Sequence, residues 1–139
     1  MVKFLALDID GVLNTGAEYD LEAKLIRNLK TIIDKTDANI ILTSSWKEDP
    51  LLLTALRASL ANYNVWICAI SEDKVYDRFT SLFKKLDKDF KHYQCVVLDD
   101  EKFDYDNLTE NQKQCFVFTN MSEGLTREKA NEVIEKFNV

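Results

Sequence analysis

The chain of 139 residues carries 24 Asp and Glu against 18 Lys and Arg, a net charge of −6, and 46% of it is hydrophobic. That length suits one domain over residues 1–139 with a real core, and the composition is that of a globular chain rather than a disordered one. The acidic excess argues against a protein that coats duplex nucleic acid or an anionic membrane by bulk charge.

The predicted elements alternate. The run 4–7 is a short buried strand that stops at acids, and Asp20 is placed to cap a helix with apolar positions at Leu21, Leu25, Ile26, Leu29, Ile32 and Ile33. A second strand over 40–42 ends at Thr43, Ser44 and Ser45, and Asp49 before Pro50 reads as a cap leading into a helix over 51–60. A third strand is expected over 65–70, with Trp66 in the core, and Phe79, Leu82, Phe83 and Leu86 give the next helical stripe. The run 95–98 is a fourth strand stopping at Asp99 and Asp100, 116–118 a fifth, and Thr126 caps a last helix that reaches Phe137. Apolar strands between amphipathic helices predict a central, mostly parallel five-stranded sheet in a three-layer α/β/α arrangement.

No apolar run approaches the ~18 residues of a membrane span. The apolar stretch at the amino terminus ends at Asp8, too short for a secretory signal. Cys68, Cys95 and Cys115 lie in apolar runs without CxxC spacing, which reads as buried free thiols and a cytoplasmic address.

Ligands of open α/β sheets bind beyond the carboxyl ends of the strands. Here three strands end in short polar groups: Asp8-Ile9-Asp10-Gly11, Thr43-Ser44-Ser45 and Asp99-Asp100. Residues i and i+2 of an extended chain share a side, so Asp8 and Asp10 can aim together. Carboxylates brought together at one edge repel each other, and a hard cation offsets that repulsion. Mg²⁺ fits, because it takes few protein carboxylates, keeps waters and binds a substrate phosphate.

These residues resemble the motifs of the haloacid-dehalogenase (HAD) superfamily. Asp8-Ile9-Asp10-Gly11-Val12-Leu13 is similar to motif I, Thr43-Ser44 to motif II, Lys74 to motif III and Val96-Val97-Leu98-Asp99-Asp100 to motif IV. More narrowly, Ser44-Ser45-Trp46, Leu98-Asp99-Asp100 and Gly124-Leu125-Thr126 resemble the small HAD domains associated with Swiss-army-knife RNA-repair proteins. The resemblance implies an Mg²⁺-dependent phosphatase in which Asp8 is the nucleophile and Asp10 the acid and base. It implies Ser44 as phosphoryl-oxygen donor, with Thr43 the rival, and Lys74 as the phosphoryl-binding cation, with Arg78 the rival. The Asp8 carboxylate, the Asp10 carbonyl and Asp100 would hold the metal, with Asp99 beside it. Trp46 either lines the substrate site, stacking on a base, or packs beneath its loop.

There is room for no inserted cap domain after motif I or motif II, so the site is expected to be open. An open site admits a phosphate on a large substrate, such as a nucleic-acid end or a protein side chain, or takes a lid from a partner subunit. The phosphorylated substrate is expected to be a small molecule or a nucleic-acid end, with a nucleotide or nucleic-acid end phosphate preferred. The alternative is a receiver-like or inactive phosphate-binding module, although receivers do not place a DxD pair on the first strand. His92 falls at the opposite end from the acids, and Lys84, Lys85, Lys88 and Lys91 read as a solvated helix face. Glu101, Asp104 and Asp106 read as solvated loop acids, with a reach of Asp104 to waters around the metal as the alternative.

Overall fold

A computed structural model describes residues 1–16, 20–72 and 75–138. The apolar runs become β1 (Val2–Leu7), β2 (Asn39–Leu42), β3 (Ile67–Ile70), β4 (Tyr93–Asp99) and β5 (Phe116–Phe118). All neighbours pair in parallel, in the order β3-β2-β1-β4-β5. Between them run α1 (Ala23–Thr36), α2 (Pro50–Ala61), α3 (Arg78–Asp89), the single turn α4 (Glu110–Lys113) and, last, α5 (Arg127–Phe137).

Alternation along the strands divides the core into two layers. Leu5, Leu7, Ile40, Leu42, Val96 and Leu98 pack with the apolar stripes of α1, α2 and α5. Phe4, Ala6, Ile41, Cys95 and Val97 face the other way, onto Phe79, Leu82, Phe83 and Leu86 of α3. The result is the three-layer α/β/α, Rossmann-like arrangement expected. Each fully buried leucine contributes about 2 kcal/mol by leaving water, so both layers anchor the central strands from which the acids project.

The expected caps at Asp49 and Thr126 are present: Asp49 accepts from the Leu51 N–H at 2.9 Å, and Thr126 from that of Lys129 at 3.2 Å. Asp20 is not a cap. Helix α1 starts at Ala23, and its approach is tied down instead by the Glu22 N–H bonding the Leu13 carbonyl at 2.9 Å. Trp66 is not in the core either. β3 begins one residue later, at the sheet's edge, and the indole is 62% exposed with its N–H on Asn64. The same edge leaves Cys68 exposed, whereas Cys95 is buried and Cys115 half-buried, so the expectation of three buried thiols holds for Cys95 alone. Among the described residues no helix is long and apolar enough to cross a membrane.

The chain leaves β1 toward β2 on one side and leaves β4 toward β5 on the other. The carboxyl ends of β1 and β4 therefore flank the switch point of the sheet, where such folds open a crevice. Among the described residues the connection from β2 to β3 holds only the short turn of helix Ser45–Glu48 and α2.

Candidate active site

The backbone ladder continues one residue past the strands. Thr43 donates its N–H to the Leu7 carbonyl and Asp8 donates to that of Leu98, each at 3.0 Å, which sets Thr43, Asp8 and Asp99 side by side. Each is an even step from a residue facing α3 (Ile41, Ala6, Val97), so alternation turns all three side chains to the α3 side.

Arg78, the first residue of α3, meets them there. Its Nη1 donates to Asp99 Oδ2 at 3.0 Å and lies 3.5 Å from Asp8 Oδ1, and its guanidinium stacks 4.0 Å from the centre of the Phe103 ring. Asp104 fixes the start of α3 by accepting from the N–H groups of Phe79 and Thr80 at 2.9 Å and from the Thr80 hydroxyl at 2.7 Å. A carboxylate there also complements the positive end of the helix. Asp104 is thus a buried helix cap rather than the solvated loop acid its position in the sequence indicated.

One carboxylate oxygen from each of Asp8, Asp99 and Asp100 lies within 4.8 Å of the others. Burial above all, then the charge of Asp99 and the carboxyl of Asp100, push Asp8 well above the usual carboxylate range despite Arg78. Burial likewise pushes Asp99 up to about 6, restrained by the Glu101 N–H and by Arg78. Three acids against one guanidinium leave a negative excess in a poorly hydrated place, and an all-oxygen donor set of this size suits a hard divalent cation. The backbone makes room for the Asp100 carboxylate. Gly11 has φ +77° and lies against Asp100, so that a Cβ at position 11 would run into the Asp100 carboxylate.

Asp10 stands apart from the three clustered acids. Its Oδ1 accepts from the Trp46 indole N–H and from the Asn14 side-chain amide, both at 2.9 Å. Asn14, fully buried, accepts in turn from the Gly11 N–H at 2.9 Å, and Thr119 donates its hydroxyl to the Gly11 carbonyl at 2.7 Å. The motif I turn is therefore latched from β2, from β5 and from within itself.

The expected site residues consequently separate. Asp8, Thr43, Asp99 and Asp100 converge with Arg78. Ser44 is buried and its Oγ accepts from the Trp46 N–H at 3.2 Å, whereas the buried Thr43 hydroxyl has no hydrogen-bond partner among the described residues. Lys74 lies outside the described residues. Trp46 packs beneath its loop: at 2% exposure it offers no ring face for a base to stack on, and its polar edge is spent on Asp10. Asn14 had no signal in the sequence beyond lying three residues past Gly11. His92 is exposed at the other end of β4, and Lys84, Lys85, Lys88 and Lys91 are exposed, as anticipated. A cavity of about 730 Å³ also lies at that far end, between Tyr93, Cys115 and Lys136, and holds none of the clustered acids.

An acid-edged, three-layer Rossmann-like sheet with DxDG on its central strand defines a protein of the HAD class. The chain matches, over residues 4–130, the family described as HAD domain in Swiss Army Knife RNA repair proteins, and it belongs to that family. Comparison with curated proteins and with solved structures gives no further match.

Proposed function

We propose that the protein is an Mg²⁺-dependent phosphatase that hydrolyses a phosphomonoester through an aspartyl-phosphate on Asp8. The observation that carries this reading is the position of Asp8: buried, beside Arg78, and within one cation's reach of Asp99 and Asp100. In the proposed reaction Asp8 attacks phosphorus in line, and Asp10 protonates the leaving oxygen and then takes a proton from the hydrolysing water. The free hydroxyl of Thr43 is the better placed donor to an equatorial phosphoryl oxygen, with Ser44 held in its turn. Arg78, already against Asp8, neutralises charge at the nucleophile, and Lys74 is a second candidate for the phosphoryl group. Asp8, the Asp10 carbonyl and Asp100 would hold Mg²⁺, with Asp99 alongside. When bound, the ion supplies positive charge for the nucleophile and the phosphoryl oxygens.

The family name connects relatives with RNA repair, and the short connections after β1 and β2 favour a site open to a bulky substrate. A nucleotide or a nucleic-acid end phosphate is the preferred class. A net charge of −6 disfavours binding of long duplexes but leaves a single end phosphate accessible.

Turnover of an aryl phosphate with Mg²⁺, compared between wild type and Asp8→Asn, tests the reading. Loss of turnover in the variant is expected, and turnover that persists overturns the nucleophile. Phosphate binding without turnover by well-folded wild type would instead identify a phosphate-recognising module. A panel of 3′- and 5′-phosphorylated oligonucleotides, nucleotides, sugar phosphates and phosphopeptides assigns the substrate class.

A further inference from the structure

We infer that Trp46 and Asn14 are positioning residues that fix which oxygen of Asp10 exchanges the catalytic proton; the inference rests on the phosphatase reading above. The hydrogen bonds of Asp10 among the described residues both fall on Oδ1, from Trp46 Nε1 and Asn14 Nδ2 at 2.9 Å each. An oxygen facing two N–H donors accepts and does not carry a proton, because a hydrogen there would oppose the donors' own. Oδ2 is then the oxygen left open to exchange it.

Neither donor can turn away. Asn14 is fully buried and its Oδ1 accepts from the Gly11 N–H at 2.9 Å. Flipping the amide would set N–H against N–H there and oxygen against carboxylate at Asp10. Trp46 is buried, and its own N–H is tied to Ser44 Oγ at 3.2 Å. The two donors come from different strand ends, so the carboxylate of Asp10 is held across the gap between β1 and β2.

The proton balance follows. As the bond from Asp8 oxygen to phosphorus forms and the phosphorus–leaving-oxygen bond breaks, the proton on Oδ2 moves to the leaving oxygen. The negative charge left on Asp10 is held at Oδ1 by the two donors. In the second step water attacks phosphorus, the bond to Asp8 breaks with its electron pair returning to that carboxylate, and Oδ2 takes the proton of the water. The donors act in both steps without touching substrate.

The test compares wild type and Trp46→Phe on an alkyl phosphate, whose leaving oxygen needs a proton, and on para-nitrophenyl phosphate, whose leaving group departs without one. With the alkyl substrate kcat is expected to fall about 10- to 100-fold, the worth of a hydrogen bond to a charged group. KM and the first-turnover burst of nitrophenolate should stay within about twofold, because acid catalysis serves neither. A second measurement removes the donor at constant ring volume, by replacing Trp46 with benzothienylalanine in a Trp66→Phe background, and the same split between leaving groups is expected. A nitrophenolate burst that slows as much as turnover of the alkyl phosphate, or a change in KM instead of kcat, overturns the positioning role while wild-type turnover stands. No turnover by the wild type overturns the phosphatase reading, and this inference with it.

Discussion

Removing the Arg78 guanidinium tests how the acid cluster is held. Arg78→Met keeps much of the packing against Phe103 but deletes the partner of Asp99 at 3.0 Å and of Asp8 at 3.5 Å. Breaking a buried pair from one side costs about 3–5 kcal/mol when the remaining charge cannot be neutralised. Protons can neutralise it here, and the sign follows from Asp99. Its folded-state value of about 6 lies above the usual 3.8, so its contribution to stability is full below 3.8 and is lost as pH rises through 6. The two-unit difference corresponds to about 3 kcal/mol.

Without Arg78 the carboxyls of Asp8 and Asp99 rise further, and the loss of stability extends to higher pH. Urea unfolding of both proteins at pH 5 and pH 8, with and without Mg²⁺, reads this out. The variant should be destabilised by about 3–5 kcal/mol at pH 8 and by less than about 1 kcal/mol at pH 5. Mg²⁺ should recover part of the difference at pH 8 by mass action on the folded state. Equal destabilisation at both pH values would refute the reasoning, because it would make Arg78 a packing residue rather than the counter-charge of the acids.

Thr43→Val should leave stability unchanged or raise it by about 1 kcal/mol, since it removes a buried unpartnered hydroxyl, yet lower phosphatase kcat at least about tenfold; a clear loss of stability would show that the hydroxyl is bonded. Gly11→Ala imposes a Cβ on Asp100 at φ +77°. It should cost about 1–3 kcal/mol and weaken the Mg²⁺-dependent rise in melting temperature, followed by thermal unfolding with and without the ion. Asp104→Ala deletes three hydrogen bonds at the start of α3 and should cost about 2–4 kcal/mol in urea unfolding, with kcat falling because Arg78 begins that helix.

The sheet, its layers and the convergence of Asp8, Asp99 and Asp100 were legible because each rests on a local pattern: an apolar run, an alternation, a polar stop. What escaped depends on contacts between distant segments. Nothing near Trp66 marks β3 as an edge strand, since that follows from the strand order and from no apolar count. Asp104 looks like one more loop acid until the first turn of α3 is seen to lie within its reach, with Phe79 25 residues earlier in the chain. The sequence favours Ser44 over Thr43, because Ser44 stands two residues before Trp46. The turn beginning at Ser45, which draws the Ser44 hydroxyl to the Trp46 N–H, is a contact no local pattern announces.

The shared side of Thr43, Asp8 and Asp99 has a consequence for how such a chain can change. Each owes its direction to the parity of residues between the strand's pairing register and its end. Deleting or inserting one residue within β1, β2 or β4 would send that side chain into the opposite layer, among the leucines beneath α1 and α5, whatever residue type stood there. Connections such as that between β4 and β5 carry no parity and are free to lengthen. Divergence among chains built this way is thus channelled: the strands accept substitution but not a change in length, and variation in size accumulates in the loops around the acids.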